Sequence, residues 1–280
     1  MSFIVITPVK NEEKYFHFVA DSMVSQKLPP DRWIVVDDSS TDNSSEIIKN
    51  YAKQYHWIRY AKLDNQDEKR SYGAKVIRAF KFGLKQITSN NYDFITKLDA
   101  DLTLPAQYFY EIFQAFKSNA KLGIVGGIIV DKKSDYNEKL NKEEFVEGAV
   151  KSVRKECFND IDGFWEVNGW DGIDQHLARY KGWEVKNLPI PIIHHRPEAH
   201  EYLSLNFYFQ NGMSSYVLGN SLLLTIIRFI VKIKEKPYLF GSITFLCGFV
   251  YAALVKKRLV DKNLAKFVRK YHYSRLRNLF

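Results

Sequence analysis

The chain has 280 residues, 46% of them hydrophobic and 15% aromatic, with a formal net charge of +9. That composition excludes a disordered or fibrous chain, and the length suits one large domain or a domain with an appendage. The charge is uneven: the first two hundred residues are well supplied with Asp and Glu, whereas the chain is markedly basic from Lys232 onward, which points to an anionic partner, either nucleic acid or a membrane face.

The N-terminal "MSFIVITPVKNEE" has too short an apolar run, and no basic stretch before it, for a signal peptide; the expectation is a cytosolic head. Phe3–Thr7 reads as a buried strand, and a helix is expected over Glu12–Gln26, ended by "LPPD". "WIVVDD" (Trp33–Asp38) is a second strand, and "SSTDNSSEIIKNYAKQY" opens with several candidate helix caps. "WIRYAKL" is a third strand, "YGAKVIRAFKFGLKQI" a helix, "YDFITKLDAD" a fourth strand with its loop, "AQYFYEIFQAFKSN" a helix and "LGIVGGIIV" a strand. Alternation of this length predicts an α/β fold, a mainly parallel mixed sheet flanked by helices, with ligands at the carboxyl ends of its strands. Cys157 and Cys247 are far apart and lack metal-ligand spacing, so both are expected to be reduced and structural.

Three polar clusters fall at such strand ends. Asp99 and Asp101, one residue apart in "LDAD", are hard oxygen ligands suited to Mg²⁺ or Mn²⁺, a cation that shares its remaining positions with water and substrate phosphates. In "VVDDSSTD", capping accounts for the hydroxyls but does not require both Asp37 and Asp38, and such an acid can accept from a ribose or a base. In "TPVKNEE", Thr7 and Pro8 end the strand and Glu12 could reach a ribose hydroxyl or serve as a first-turn acid.

These three motifs in series, over roughly residues 1–200, resemble glycosyltransferase family 2, whose nucleotide-sugar-binding fold is called GT-A. The resemblance implies that Thr7, Pro8, Glu12, Asp37 and Asp38 line the nucleoside site, that Asp99 and Ala100 face the ribose and diphosphate, and that Asp101 binds the metal. "RSYGAKVIRAFKFGL" resembles the family's Gly-rich helix start, with Gly73 allowing close backbone approach and Arg70 and Lys75 as candidate diphosphate contacts.

Transfer from a nucleotide sugar also needs a base for the acceptor hydroxyl. The family places an acidic pair at a helix start in the region of "EVNGWDGIDQHLARYKGWEV"; the family interval lands on Asp171, and Trp170 stands where the family usually has Glu. Asp174, one turn later, shares the face, and it stays an alternative to Asp171. In "PIIHHRP", His194 or His195 could complete the metal shell and Arg196 could clamp a phosphate. The resemblance implies inversion at the anomeric carbon. The absence of a Q-x-x-R-W motif favours adding one sugar over processive polymerisation.

A boundary is expected near residue 200, giving a catalytic domain over 1–200 and a helical, basic region over 201–280. There "YVLGNSLLLTIIRFIV" and "YLFGSITFLCGFVYAALV" are apolar, with "KIKEKP" between them and "KKR" after the second. Basic groups at both ends fit a shallow attachment better than a crossing, and the last stretch reads as an interfacial helix on an anionic leaflet. The combined expectation is a transferase on the cytoplasmic face of the membrane, with a nucleotide-sugar donor (UDP-sugar favoured over GDP-sugar) and a glycan or lipid-linked glycan acceptor. A nucleic-acid binder leaves the acidic strand ends unexplained, a nucleotidyltransferase would need a Gly-rich phosphate loop that "ITPVKNEEKYF" lacks, and a non-catalytic nucleotide-binding relative is kept open by Trp170.

Overall fold

Residues 2–64, 73–88, 91–130, 145–196, 204–233 and 238–277 are described by a computed structural model. The chain divides into two compact units, residues 1–166 with 181–197, and residues 167–180 with 198–280.

The first unit is built on a sheet whose strand order is β3-β2-β1-β4-β7-β6-β8-β5. The strands are β1 (Phe3–Val9), β2 (Arg32–Asp37), β3 (Ile58–Lys62), β4 (Phe94–Leu98), β5 (Leu102–Thr103), β6 (Leu122–Val130), β7 (Val150–Arg154) and β8 (Glu184–His194). Helices α1 (Phe16–Val24), α2 (Ser44–Gln54), α3 (Ala74–Lys85), α4 (Tyr108–Ser118) and the short α5 (Lys155–Asp160) flank it. β1, β2, β3 and β4 pair in parallel, and their runs of consecutive buried residues reflect a sheet covered on both faces. β7 is antiparallel to both β4 and β6, and β8 is parallel to β6. Two reversals restore direction, so β8 runs the same way as β1 and β4 and delivers His194 to the sheet edge where β4 ends.

Aromatic rings knit the core: Phe3 stacks on Phe94 with centroids 4.6 Å apart and lies 4.9 Å from Phe109, and Phe16 stacks on Trp33 at 5.8 Å. Gly83 lets α3 lie directly on the sheet, because a β-carbon there would sit 2.7 Å from the Ile6 side chain and 2.9 Å from that of Val36. The expected helix over Glu12–Gln26 starts later, at Phe16; the preceding residues form a turn in which the amides of Tyr15 and Phe16 both donate to the Glu12 carbonyl. Glu12 is therefore a loop residue rather than a first-turn acid.

The second unit is helical among its described residues: α6 (Trp170–Tyr180), α7 (Leu205–Val217), α8 (Leu222–Lys232), α9 (Leu239–Val255) and α10 (Lys262–Arg277). α7 and α9 touch backbone to backbone. A β-carbon on Gly212 would fall 1.9 Å from the Phe245 carbonyl oxygen, and one on Gly248 would fall 2.1 Å from that of Phe209. Among the described residues, no helix is long and apolar enough to cross a membrane. Both cysteines are free; Cys157 is buried in the first unit and Cys247 is exposed on α9.

Three basic side chains meet inside this unit. The rings of His176 and His272 lie 5.0 Å apart, and Arg228 donates to His272 Nε2 at 3.4 Å. Burial depresses His176 to about 3 and His272 to about 4, with neighbouring positive charges adding to the effect. An unfolded histidine takes its proton below about 6.5, whereas these stay neutral to lower pH, so the stability they confer is present above 6.5 and is lost as pH falls toward 4. Moving from pH 7.5 to 5 should cost about 2 kcal/mol per histidine, read as a fall in the unit's melting temperature. A pH-independent melt would contradict the buried neutral pair.

Candidate active site

The loop after β1 and the loop after β2 are lashed together. Asn11 and Ser39, both in left-handed backbone (φ 57° and 56°), begin the two turns. The Asn11 amide donates to Ser40 Oγ at 3.0 Å, the Thr41 amide returns a bond to Asn11 Oδ1 at 2.8 Å, and the Glu12 amide donates to Ser44 Oγ at 2.7 Å. Glu13 and Asp42 continue the reciprocal pattern, Glu13 accepting from the Asn43 amide and Asp42 from the Glu13 amide. The hydroxyls of "SSTDNSS" thus position the chain around Glu12.

Asp37 is committed inside this structure. Its carboxylate accepts from the Ser40 amide at 2.8 Å, from the Ser45 hydroxyl, and from Tyr60 Oη at 3.0 Å. Burial pushes the Asp37 carboxyl up, but these bonds outweigh it and hold the group below the ordinary carboxylate value. Asp38 is buried with its amide bonded to the Val9 carbonyl, and Thr7, also buried, accepts from Trp33 Nε1 at 2.9 Å. Pro8 pairs in register with Val36 at the end of β1.

At the ends of β1, β4 and β8, six charged or titratable side chains converge. Asp101 Oδ2 lies 3.2 Å from His194 Nε2 and accepts from Arg196 Nε at 3.0 Å. The same guanidinium donates to Glu12 Oε1. Asp99 is ion-paired with Lys97, whose ammonium also donates to the Gly148 carbonyl at 2.7 Å, and the buried Ala100 sits between the two aspartates. His195 turns elsewhere: its Nε2 lies 2.7 Å from Thr103 Oγ1 and its ring stacks on Phe18 at 3.7 Å. Of the two adjacent histidines, His194 is the one that meets Asp101.

The electrostatics of the cluster are uneven. Burial pushes the Asp101 carboxyl up, but the His194 hydrogen bond and the charges of His194 and Arg196 hold it below its usual range. The Asp101 hydrogen bond in turn lifts His194. Burial raises Asp99, with Lys97 opposing and Asp101 adding to the rise. Burial also takes Glu12 up to about 7 against the opposing charge of Arg196, and Glu12 Oε2 is buried with no hydrogen-bond partner.

No group of three or more His, Cys, Asp or Glu side chains among the described residues is gathered to hold a metal by itself. The donor chemistry of Asp101 and His194 nonetheless fits a divalent cation, since Mg²⁺ and Mn²⁺ take few protein ligands and fill the rest with water and phosphate oxygens. A raised His194 beside a depressed Asp101 holds a proton where a cation would replace it.

A sequence model of glycosyl transferase family 2 matches residues 4–165, more than half of the chain. The chain belongs to that family. Among curated relatives, the poly-beta-1,6-N-acetyl-D-glucosamine synthase of Staphylococcus epidermidis is 25% identical over 178 residues, covering 56% of this chain and 40% of that protein. Glycosyltransferase GlyA of Streptococcus pneumoniae is 30% identical over 110 residues, 39% of this chain and 14% of its own length. The chain spans less than half the length of these relatives. Among solved structures, the mannosyltransferase PcManGT of Pyrobaculum calidifontis, in complex with GDP-Man and Mn²⁺, aligns with a TM-score of 0.58 at 16% identity over 99% of this chain and 80% of that one. TarS 1–349 of S. aureus, in complex with UDP-GlcNAc, aligns at 0.58 with 17% identity over 91% and 73%. At these identities the likeness shows the fold, the α/β arrangement of the GT-A type.

The remaining family-motif positions are distributed as follows. Gly73 precedes α3 in left-handed backbone (φ 77°), and Lys75 lies in the first turn of that helix. Arg70 lies outside the described residues. Asp171 and Asp174 both lie on α6, in the second unit: Asp171 is partly exposed in the first turn, and Asp174 is buried with Oδ1 accepting from the Gln175 amide at 2.6 Å.

Lys97 escaped the sequence reading, although a lysine inside the apolar run "FITKL" is the signal that could have found it. It is buried and holds Asp99 beside Asp101. Lys97→Met in this family 2 chain should cost about 1–2 kcal/mol, the scale of one charge-assisted hydrogen bond, because the partly exposed Asp99 loses its partner but can still take up water or a proton, seen as a lower denaturation midpoint. An unchanged midpoint would mean that the pair contributes nothing to the loop.

Proposed function

We propose that the chain is a metal-dependent, inverting glycosyltransferase that moves a sugar from a nucleotide-diphosphate donor, UDP-sugar favoured, to a hydroxyl of a glycan acceptor. The observation that carries this reading is the meeting of Asp101, His194, Arg196 and Glu12 beyond the strand ends, where sheets of this type bind ligands. Asp101 and His194 would hold the Mn²⁺ or Mg²⁺, which when bound neutralises the diphosphate as a Lewis acid. Glu12 offers its unpartnered Oε2 to a ribose hydroxyl, while its other oxygen anchors Arg196. Arg196, bridging two carboxylates, is placed to exchange one of them for a phosphate oxygen.

Asp171 is the proposed base, because it is partly exposed at the start of α6 whereas Asp174 is buried. It would take the acceptor's proton as the hydroxyl attacks from the face opposite the leaving group. The name of the poly-beta-1,6-N-acetyl-D-glucosamine synthase relative supports a polysaccharide as acceptor, and a lipid-linked glycan presented at the cytoplasmic face of the membrane, growing toward a cell-surface polysaccharide, is the form we propose. Nucleic acid is not proposed as a partner: the acidic strand ends would repel its phosphates unless a metal intervened, and that reading gives them no role.

Calorimetric titration with UDP and with GDP, each with and without Mn²⁺, tests the donor site. Metal-dependent binding of one nucleotide supports it and names the base. Binding of neither removes the reading. Binding without turnover of any sugar nucleotide would reduce the chain to a nucleotide-binding relative.

A further inference from the structure

The second unit leaves large apolar side chains exposed along two neighbouring helices. Along α9, the inward positions are Gly241, Ser242, Gly248 and Ala252 together with Phe245 and Phe249, and Ser242 is fully buried. The outward stripe is Phe240, Ile243, Cys247, Val250, Tyr251 and Leu254, with Phe240 exposed to 71% and Leu254 to 81%. On α8, Leu224 and Thr225 face inward and Arg228 reaches His272, while Leu222, Leu223, Ile226 and Ile230 face out. A helix in water buries its large apolar side chains. Two neighbouring helices that seat glycine, serine and threonine inside, beside Leu224, Phe245 and Phe249, and still expose a continuous stripe of leucine, isoleucine and phenylalanine have more apolar surface than their own packing uses, and their small residues let backbones touch as in lipid-embedded helices. The Gly212 and Gly248 contacts between α7 and α9 are of that kind.

The polar features of the same unit select the occupant. α9 carries no charged residue, begins at the exposed Tyr238 and is followed at once by the exposed Lys256 and Lys257. α10 exposes Lys262, Lys266 and Lys270 at helical spacing and buries Leu264, Ala265 and Val268. Lysines at that density repel a second copy of the chain and attract anionic headgroups, and a tyrosine at the end of an apolar helix suits the membrane–water interface. At 17 residues α9 is about 25 Å long, short of the ~30 Å hydrocarbon thickness.

We propose that the outward faces of α8 and α9 insert into one leaflet of an anionic phospholipid bilayer, as a monotopic attachment. The proposal stands apart from the transfer reaction and does not depend on it. Insertion places the Cys247 side chain among acyl chains and the lysines after α9 among headgroups.

The full chain supplies its own probe, because Cys247 is exposed and Cys157 is buried. With a nitrobenzoxadiazole maleimide on Cys247, vesicles of phosphatidylcholine and phosphatidylglycerol should shift the emission to the blue, and lipids brominated on the acyl chain should quench it. Attachment should survive high salt, and Ile230→Ser, Phe240→Ser and Leu254→Ser together should lower partitioning at least ~10-fold. The three positions are exposed, so an unchanged far-UV spectrum and melting point accompany the loss. Emission that ignores vesicles overturns the proposal, as does release of the chain by salt alone. A lipid-free dimer that the triple variant dissolves, with no quenching by brominated lipid, overturns it in favour of a second copy.

Discussion

Asp101→Asn should abolish the Mn²⁺ dependence of nucleotide binding and lower sugar transfer by at least ~10³-fold, the scale expected when several kcal/mol of charge neutralisation on the leaving group is lost. The substitution keeps the shape of the side chain and removes its charge. His194 then loses the anion that favours its protonated form, and Arg196 keeps Glu12 as its remaining carboxylate. The melting temperature should move little, because the amide oxygen still accepts from Arg196. His195→Ala is the matched control: that ring is held by Thr103 and Phe18, so metal dependence should survive. If Asp101→Asn binds nucleotide with full metal dependence, Asp101 is not the ligand and the cluster has another purpose.

Asp171→Asn should lower kcat by about 10²–10⁴-fold and leave the affinity for the donor nucleotide unchanged, because a general base acts on the acceptor proton in the transition state. Asp174→Asn separates the two acids. Asp174 is buried and bonded to the amide next to it, so its loss should appear first as a lower melting temperature. Steady-state kinetics and thermal denaturation on the two variants decide between them. A stable Asp174→Asn chain without turnover, beside an active Asp171→Asn chain, would reverse the assignment.

Much of the first unit is readable from residue order because parallel strands covered on both faces carry uninterrupted apolar runs, as "FIVIT", "WIVV" and "LGIVGGIIV" do. β7 escapes the same reading. Lys151 and Ser152 break its apolar run, and only the fold shows that both are buried there. The carboxylates of the cluster are visible as acids at strand ends, but their partners are not: Arg196 reaches Glu12 across 184 residues. The roles of Asp37 and Asp42 are hidden for a different reason. A loop acid that receives hydrogen bonds from its own turn and one that awaits a ligand have the same neighbours in sequence, and only geometry separates them.

The bridge from Glu12 to Arg196 also bears on the order in which the molecule forms. Contacts between residues so distant in sequence raise contact order and close late, because chain entropy is lost before they give anything back. A nascent or nicked chain that ends before β8 could pair β1, β2, β3 and β4, yet it would carry Glu12 and Asp101 without the cation that joins them. In the finished chain, a donor held at this bridge would slow amide exchange at the ends of β1 and β8 together, although one strand begins the chain and the other closes the unit.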